Sequence, residues 1–191
     1  MDGTVLQTLR EGAMMDRDEF KKHLDACTYD KKYQDIEYID FKGYSESYKT
    51  WNAIKDLIEW KDKTVADLGC FHGYFSFLIA RHGGIVTGMD RSPEVLETTE
   101  ILNEAYGNII KTKQWVGGEL VPDTFHVALV LNVLHHFGDQ EKALQNIKAQ
   151  WVVFEVKYDQ RFLISQYFKE IRTVPSHRVG RIIVLGERRE R

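Results

Sequence analysis

Between residues 64 and 91 the chain reads TVADLGCFHGYFSFLIARHGGIVTGMDR, and no other stretch limits its possible folds so tightly. A short β-rich run at 64–68 holds Asp67, and Gly69 and Gly73 bracket the turn that follows. Residues 74–81 are apolar enough for a helix lying on a sheet, and 85–89 form a second apolar strand closed by Asp90. Strand, crossover helix and strand in this order specify a parallel pair. In a doubly wound sheet ligands lie outside the carboxyl ends of the strands, so Asp67 and Asp90 are expected to face one crevice. Glycine lets backbone approach a ligand closely, and the next helix offers free N–H groups at its N-terminus. An acid ending the second strand is placed to accept hydrogen bonds from a ribose diol. The stretch therefore predicts a crevice for a nucleoside-bearing cofactor.

The turn does not carry the G-x-G-x-x-G spacing of dinucleotide sites. It reads Asp67-Leu68-Gly69-Cys70-Phe71-His72-Gly73. This resembles the D-x-G-x-G-x-G motif of the class I S-adenosylmethionine-dependent methyltransferases, with Phe71 where the middle glycine is usual. The physical logic agrees, because that cofactor has no pyrophosphate to cradle and its ammonium and sulfonium charges suit a nearby acid. The resemblance implies a Rossmann-like, doubly wound α/β sheet of seven strands, mostly parallel, with a C-terminal antiparallel hairpin. It implies S-adenosyl-L-methionine as cofactor. Asp67, Gly69, Cys70, Phe71 and Gly73 would then hold its amino-acid end, Asp90 its ribose, and Met89 or Arg91 would flank the adenine. Glu119, in the loop after the third strand, is the nearest match to the family's adenine-contacting acid.

A chain of 191 residues, 43% hydrophobic and 29% charged, suits one globular domain with a sizeable core. A net charge of −3 speaks against a general nucleic-acid binder. The two cysteines, Cys27 and Cys70, form no CxxC pair, which suggests a reducing compartment and a cytoplasmic protein. No apolar run approaches the length of a membrane span, and acids at Asp2, Glu11 and Asp16 argue against a signal peptide. The mixed-sign residues 187–191 read as a solvated tail.

Ahead of the core, residues 1–12 read as a frayed start and 16–26 as an amphipathic helix. Residues 29–44 hold Tyr33, Tyr38, Phe41 and Tyr44 among charges, a density of rings suited to covering the crevice or lining a substrate pocket. Residues 1–47 are thus expected to form an N-terminal arm and 48–191 the cofactor-binding core. Apolar spacing predicts a helix over 47–60, a second from Ser92-Pro93-Glu94 to Tyr106, and a third over 140–150. Strands are expected at 108–115, 125–131 and 151–156. After a short helix at 161–167, runs at 168–174 and 181–186 with a six-residue link predict the closing antiparallel hairpin.

The fourth strand runs into Asn132-Val133-Leu134-His135-His136-Phe137. This is similar to the motif after strand four of small-molecule methyltransferases, which implies that Asn132 lies beside the methionyl part of the cofactor. A histidine there is suited to take a proton from a hydroxyl or amine; adjacent side chains diverge, so one of His135 and His136 is expected to face the substrate, with His136 favoured. Nothing suggests a metal. The layout is closest to polysaccharide-modifying methyltransferases, which share a late serine–histidine such as Ser176-His177, and to wobble-uridine-modifying enzymes. The expected acceptor is a small-molecule or carbohydrate hydroxyl, or an amine, with His177 as a possible contact. A non-catalytic cofactor-binding partner protein, a nucleotide-binding oxidoreductase and a tRNA-modifying enzyme are the alternatives.

Overall fold

The computed structural model describes residues 16–189, so the reading of residues 1–12 and the last two residues of the tail lie outside it. Among the described residues, seven strands make one sheet in the order β3-β2-β1-β4-β5-β7-β6. They are β1 (Thr64–Leu68), β2 (Ile85–Asp90), β3 (Lys111–Gln114), β4 (Phe125–Leu131), β5 (Ala149–Lys157), β6 (Phe168–Pro175) and β7 (Arg181–Arg188). β1 to β5 pair in parallel, and β7 runs antiparallel to both β5 and β6. Among the described residues, six α-helices pack around the sheet: α1 (Arg17–Ala26), α2 (Ser47–Ile54), α3 (Tyr74–Arg81), α4 (Pro93–Ala105), α5 (Gln140–Asn146) and α6 (Arg161–Tyr167). The fold is the Rossmann-like, mostly parallel seven-stranded sheet with the C-terminal hairpin that the sequence implied.

The sheet's period of two divides the core between its faces. Val65, Val127, Leu129 and Val153 point to one side, where they meet Phe20, Trp51, Ile54, Ile79 and Leu102 of α1 to α4. Ala66, Leu68, Ala128, Val130, Val152 and Phe154 point to the other, against Leu144 of α5 and Ile164 of α6. Strands buried on both faces read as continuous apolar runs, which is why FHVALVL shows no alternation. The strand order reverses between β1 and β4, and the loops after these two strands part there to open a crevice.

Several boundaries move. The helix expected over 47–60 ends at Ile54, where the Trp60 indole N–H folds back to the Lys55 carbonyl at 2.8 Å. The helix expected to reach Gln150 stops at Asn146 because Ile147 turns extended, and β5 begins early so that Ala149 can pair with Phe125. β3 is limited to Lys111–Gln114, the four residues that pair with β2. α4 begins as expected, with the Ser92 hydroxyl accepting from Val95 N–H and proline in the first turn.

Candidate functional site

The crevice at the carboxyl ends of β1, β2, β4 and β5 encloses about 920 Å³, near the upper end of the range of about 300–1,000 Å³ for small-molecule sites. Of the residues singled out in the sequence, Gly69, Phe71, Asp90, Arg91, Asn132 and His136 line it. Asp67, Cys70, Gly73, Glu119 and His135 do not.

Asp90 is fixed by its own surroundings. One carboxylate oxygen accepts from Phe71 N–H at 3.2 Å and the other from Ser92 N–H at 3.0 Å. Each oxygen keeps lone pairs for a ligand. Phe71 adopts φ 53°, the left-handed conformation that a glycine usually supplies, so the turn keeps its shape without the middle glycine. Its ring stands edge-on to Tyr29 and Tyr33, at 5.6 and 5.5 Å, and so joins the turn to the N-terminal arm. Gly69, at φ 77°, passes so close to the loop after β4 that a Cβ there would lie 2.5 Å from Val133 Cγ2.

Asp67 is 2% exposed and sits beneath the turn rather than in the crevice. It accepts from Ser76 Oγ at 2.7 Å, and burial raises its pKa to about 6. Of the two acids expected to face the crevice, Asp90 alone lines it. Cys70 is buried with its sulfur against Gly88, and burial pushes the thiol well above its ordinary range. Gly73 caps α3 at φ 79°. The Glu119 carboxylate turns back to accept from Val116 N–H at 3.2 Å, and Trp115, Val116 and Gly117 line that end of the crevice in its stead.

His135 and His136 occupy one 3₁₀ turn after β4. The tight turn brings the two rings to 4.0 Å, tilted 39° to one another. Only His136 lines the crevice. Burial, His136 and the cations Arg181 and Lys157 lower the His135 pKa to about 4, so it is neutral at physiological pH. Asn132, at φ 58°, donates its amide to the Tyr33 hydroxyl at 2.5 Å, while its side-chain oxygen is buried without a partner.

The far end of the crevice is built from segments that the sequence keeps apart. Tyr33 and Tyr44 of the arm wall it, with Glu155 of β5 and Arg178 from the link between β6 and β7, while Tyr29 lies against Phe71 and His72 of the turn. Glu155 is 1% exposed; it accepts from Ser176 Oγ at 2.5 Å, and Arg178 Nε lies 3.7 Å away. Arg178 lies over the Tyr33 ring and donates to the Ser45 carbonyl at 2.9 Å. His177 contacts the same carbonyl at 3.2 Å and does not line the crevice. Tyr38 and Phe41 pack on the core instead of the crevice. The aromatic density of residues 29–44 signalled this wall; Glu155 and Arg178 had no signal, since each reads as an ordinary strand or loop charge.

Residues 66–150 match the family model of a methyltransferase domain. Residues 66–150 thus carry a methyltransferase domain, on a fold shared with solved S-adenosylmethionine-dependent methyltransferases. Among curated proteins it is similar to the tRNA U34 carboxymethyltransferase of Helicobacter pylori, 30% identical over 129 residues, 64% of this chain and 48% of the relative. The same enzyme of Nautilia profundicola is 32% identical over 107 residues, covering 54% of this chain and 35% of the relative. The chain thus spans about half the length, or less, of the curated relatives it matches. Among solved structures, the N-methyltransferase NodS of Bradyrhizobium japonicum with S-adenosyl-L-homocysteine superposes with a TM-score of 0.65 at 15% identity. That match covers 91% of this chain and 98% of NodS. Among the described residues, no helix is long and apolar enough to cross a membrane.

Proposed function

We propose that the chain transfers a methyl group from S-adenosyl-L-methionine to a hydroxyl, or an amine, of a small or sugar-like acceptor. The observation that carries this reading is the division of one crevice into two unlike ends, Asp90 with Trp115 at one and Glu155 with Arg178 at the other. The residues fit the cofactor. Asp90 has free lone pairs for a ribose diol, and the unpartnered Asn132 oxygen can accept from the amino-acid ammonium. Arg91, Trp115 and Val116 flank the adenine end, Gly69 and Phe71 border the amino-acid end, and Asp67, Cys70 and Gly73 support the turn from behind.

S-adenosyl-L-methionine supplies an activated methyl group on a sulfonium. The chain's own work is to hold the acceptor in line and to remove its proton. Glu155 and the Tyr33 hydroxyl are positioned to receive and orient the acceptor, and the arm's rings exclude water. His136 takes the proton of the attacking hydroxyl or amine; neutral His135, tilted against it, adds no competing charge. Among the described residues, only two Arg or Lys side chains, Arg91 and Arg178, line the crevice, and Arg178 is already committed to Glu155 and Ser45. A crevice so composed suits an uncharged acceptor better than a phosphate chain.

A second reading, modification of a tRNA uridine, is favoured by one observation, the 30% identity to tRNA U34 carboxymethyltransferases. One assay separates the two. S-adenosylhomocysteine release is followed with a panel of sugars, phenols and amines, and in parallel with unmodified tRNA. Turnover on the panel and none on tRNA supports the first reading; the reverse pattern replaces it with the second.

A further inference from the structure

Behind the glycine turn, away from the crevice, lies a second, small pocket of about 10 Å³, close to the least volume, about 10–15 Å³, that holds one water molecule. His72, Asp35, Tyr74 and Phe77 are among its walls. His72 and Asp35 are 1% and 2% exposed, and each has one buried atom without a partner, His72 Nδ1 and Asp35 Oδ2. Two orphaned polar atoms in one small pocket call for a common explanation.

The hydrogen-bond directions supply it. The Thr98 hydroxyl donates to the Glu94 carbonyl at 3.3 Å, and the Tyr29 hydroxyl donates to Thr98 Oγ1 at 2.8 Å. Tyr29 has a single proton, so at its 2.9 Å contact with His72 Nε2 it must accept, and Nε2 carries the hydrogen. His72 is then the neutral Nε2–H tautomer, and its Nδ1 presents a lone pair. Asp35 binds Gly43 N–H through Oδ1 at 2.8 Å, and its carboxylate Oδ2 is likewise an acceptor. Two acceptors cannot bond each other. They require a small ligand that donates twice.

We infer that this pocket binds one water molecule, which donates to His72 Nδ1 and to Asp35 Oδ2 and thereby seats the N-terminal arm on the glycine turn. The bridge closes a chain from Asp35 through His72, Tyr29 and Thr98 to Glu94, tying arm, turn and α4 together. Thr28 reinforces the same joint, with its N–H and hydroxyl both on the Glu94 carboxylate, at 2.6 and 2.8 Å. Tyr29 and Tyr33 wall the crevice, so the joint sets how the aromatic arm lies over it. Burial holds the His72 pKa down at about 3, in keeping with a neutral ring.

The test needs no acceptor and no activity. Nitrogen-15 NMR of the full chain at neutral pH should find His72 as the Nε2–H tautomer, and a high-resolution crystal structure should place a water within hydrogen-bond distance of both atoms. A hydrogen on Nδ1, direct contact between His72 and Asp35, or a dry pocket would overturn the inference. As a second measurement, His72→Phe should raise the rate of proteolytic cleavage within residues 27–44 about tenfold, as expected from losing one or two buried hydrogen bonds. Cleavage at the wild-type rate would refute the role of the joint in seating the arm.

Discussion

The two ends of the crevice are made in opposite ways. The Asp90 end is local: strand, turn and strand within 64–91 fix Gly69, Phe71 and Asp90 relative to one another, and backbone N–H groups hold the carboxylate. The Glu155 end is assembled from three distant segments, the arm at Tyr33, β5 at Glu155 and the β6–β7 link at Arg178. Its partners lie over a hundred residues apart, as in the Thr50 to Glu155 and Arg178 to Ser45 contacts. A locally encoded end suits an invariant cofactor. An end pooled from loops and an arm can change its acceptor without disturbing the other.

Substitutions can break or sharpen this contrast. His136→Ala, at the junction of the two ends, should slow methyl transfer by about a hundredfold or more, the usual worth of a general base. S-adenosylhomocysteine affinity should stay unchanged, and an unaltered rate would remove His136 from catalysis. Asp90→Ala should weaken S-adenosylhomocysteine binding by about a hundredfold, as two charge-assisted hydrogen bonds are lost. Circular dichroism should remain native. Gly69→Ala combines a Cβ at 2.5 Å from Val133 with φ 77°, and should cost about 2 kcal/mol or more of stability in a denaturant titration.

The pH dependence is a milder probe. His72, held down to about 3, stays uncharged while the unfolded chain takes up a proton below pH 6.5, so its contribution to stability falls as pH drops through that window. Asp67, raised to about 6, acts oppositely: the folded state takes up its proton first, and stability is gained as pH falls from 6 toward 3.8. Asp67→Asn removes the gain. The variant should therefore lose more stability than the wild type between pH 7 and pH 5, by about 1 kcal/mol. Equal losses would contradict the buried, elevated acid. Smallest of all, Tyr33→Phe should weaken S-adenosylhomocysteine binding by about fivefold, since the Asn132 amide loses the hydroxyl that anchors it beside the cofactor.

The sequence resolved these ends unequally, for physical reasons. Period and turn chemistry located β1, α3 and β2 because neighbours in the chain decide them. The acid of the local turn was legible in position but not in direction, since Asp67 turns under to Ser76 and only packing reveals it. Glu119 fits the expected loop, yet a contact three residues away, with Val116 N–H, captures its carboxylate. Glu155 is written within WVVFEV as a lone charge in a buried strand, and its meaning depends on Ser176 and Arg178, which arrive by the hairpin. The 3₁₀ turn that brings the His135 ring to 4.0 Å from that of His136 is likewise not legible in the sequence.

The most direct test of the account is calorimetric titration of the wild-type protein with S-adenosylhomocysteine and, separately, NAD. The account predicts S-adenosylhomocysteine binding with a dissociation constant on the order of micromolar, about −8 kcal/mol, and no heat with NAD. Binding of NAD alone would contradict it and return the crevice to the dinucleotide class.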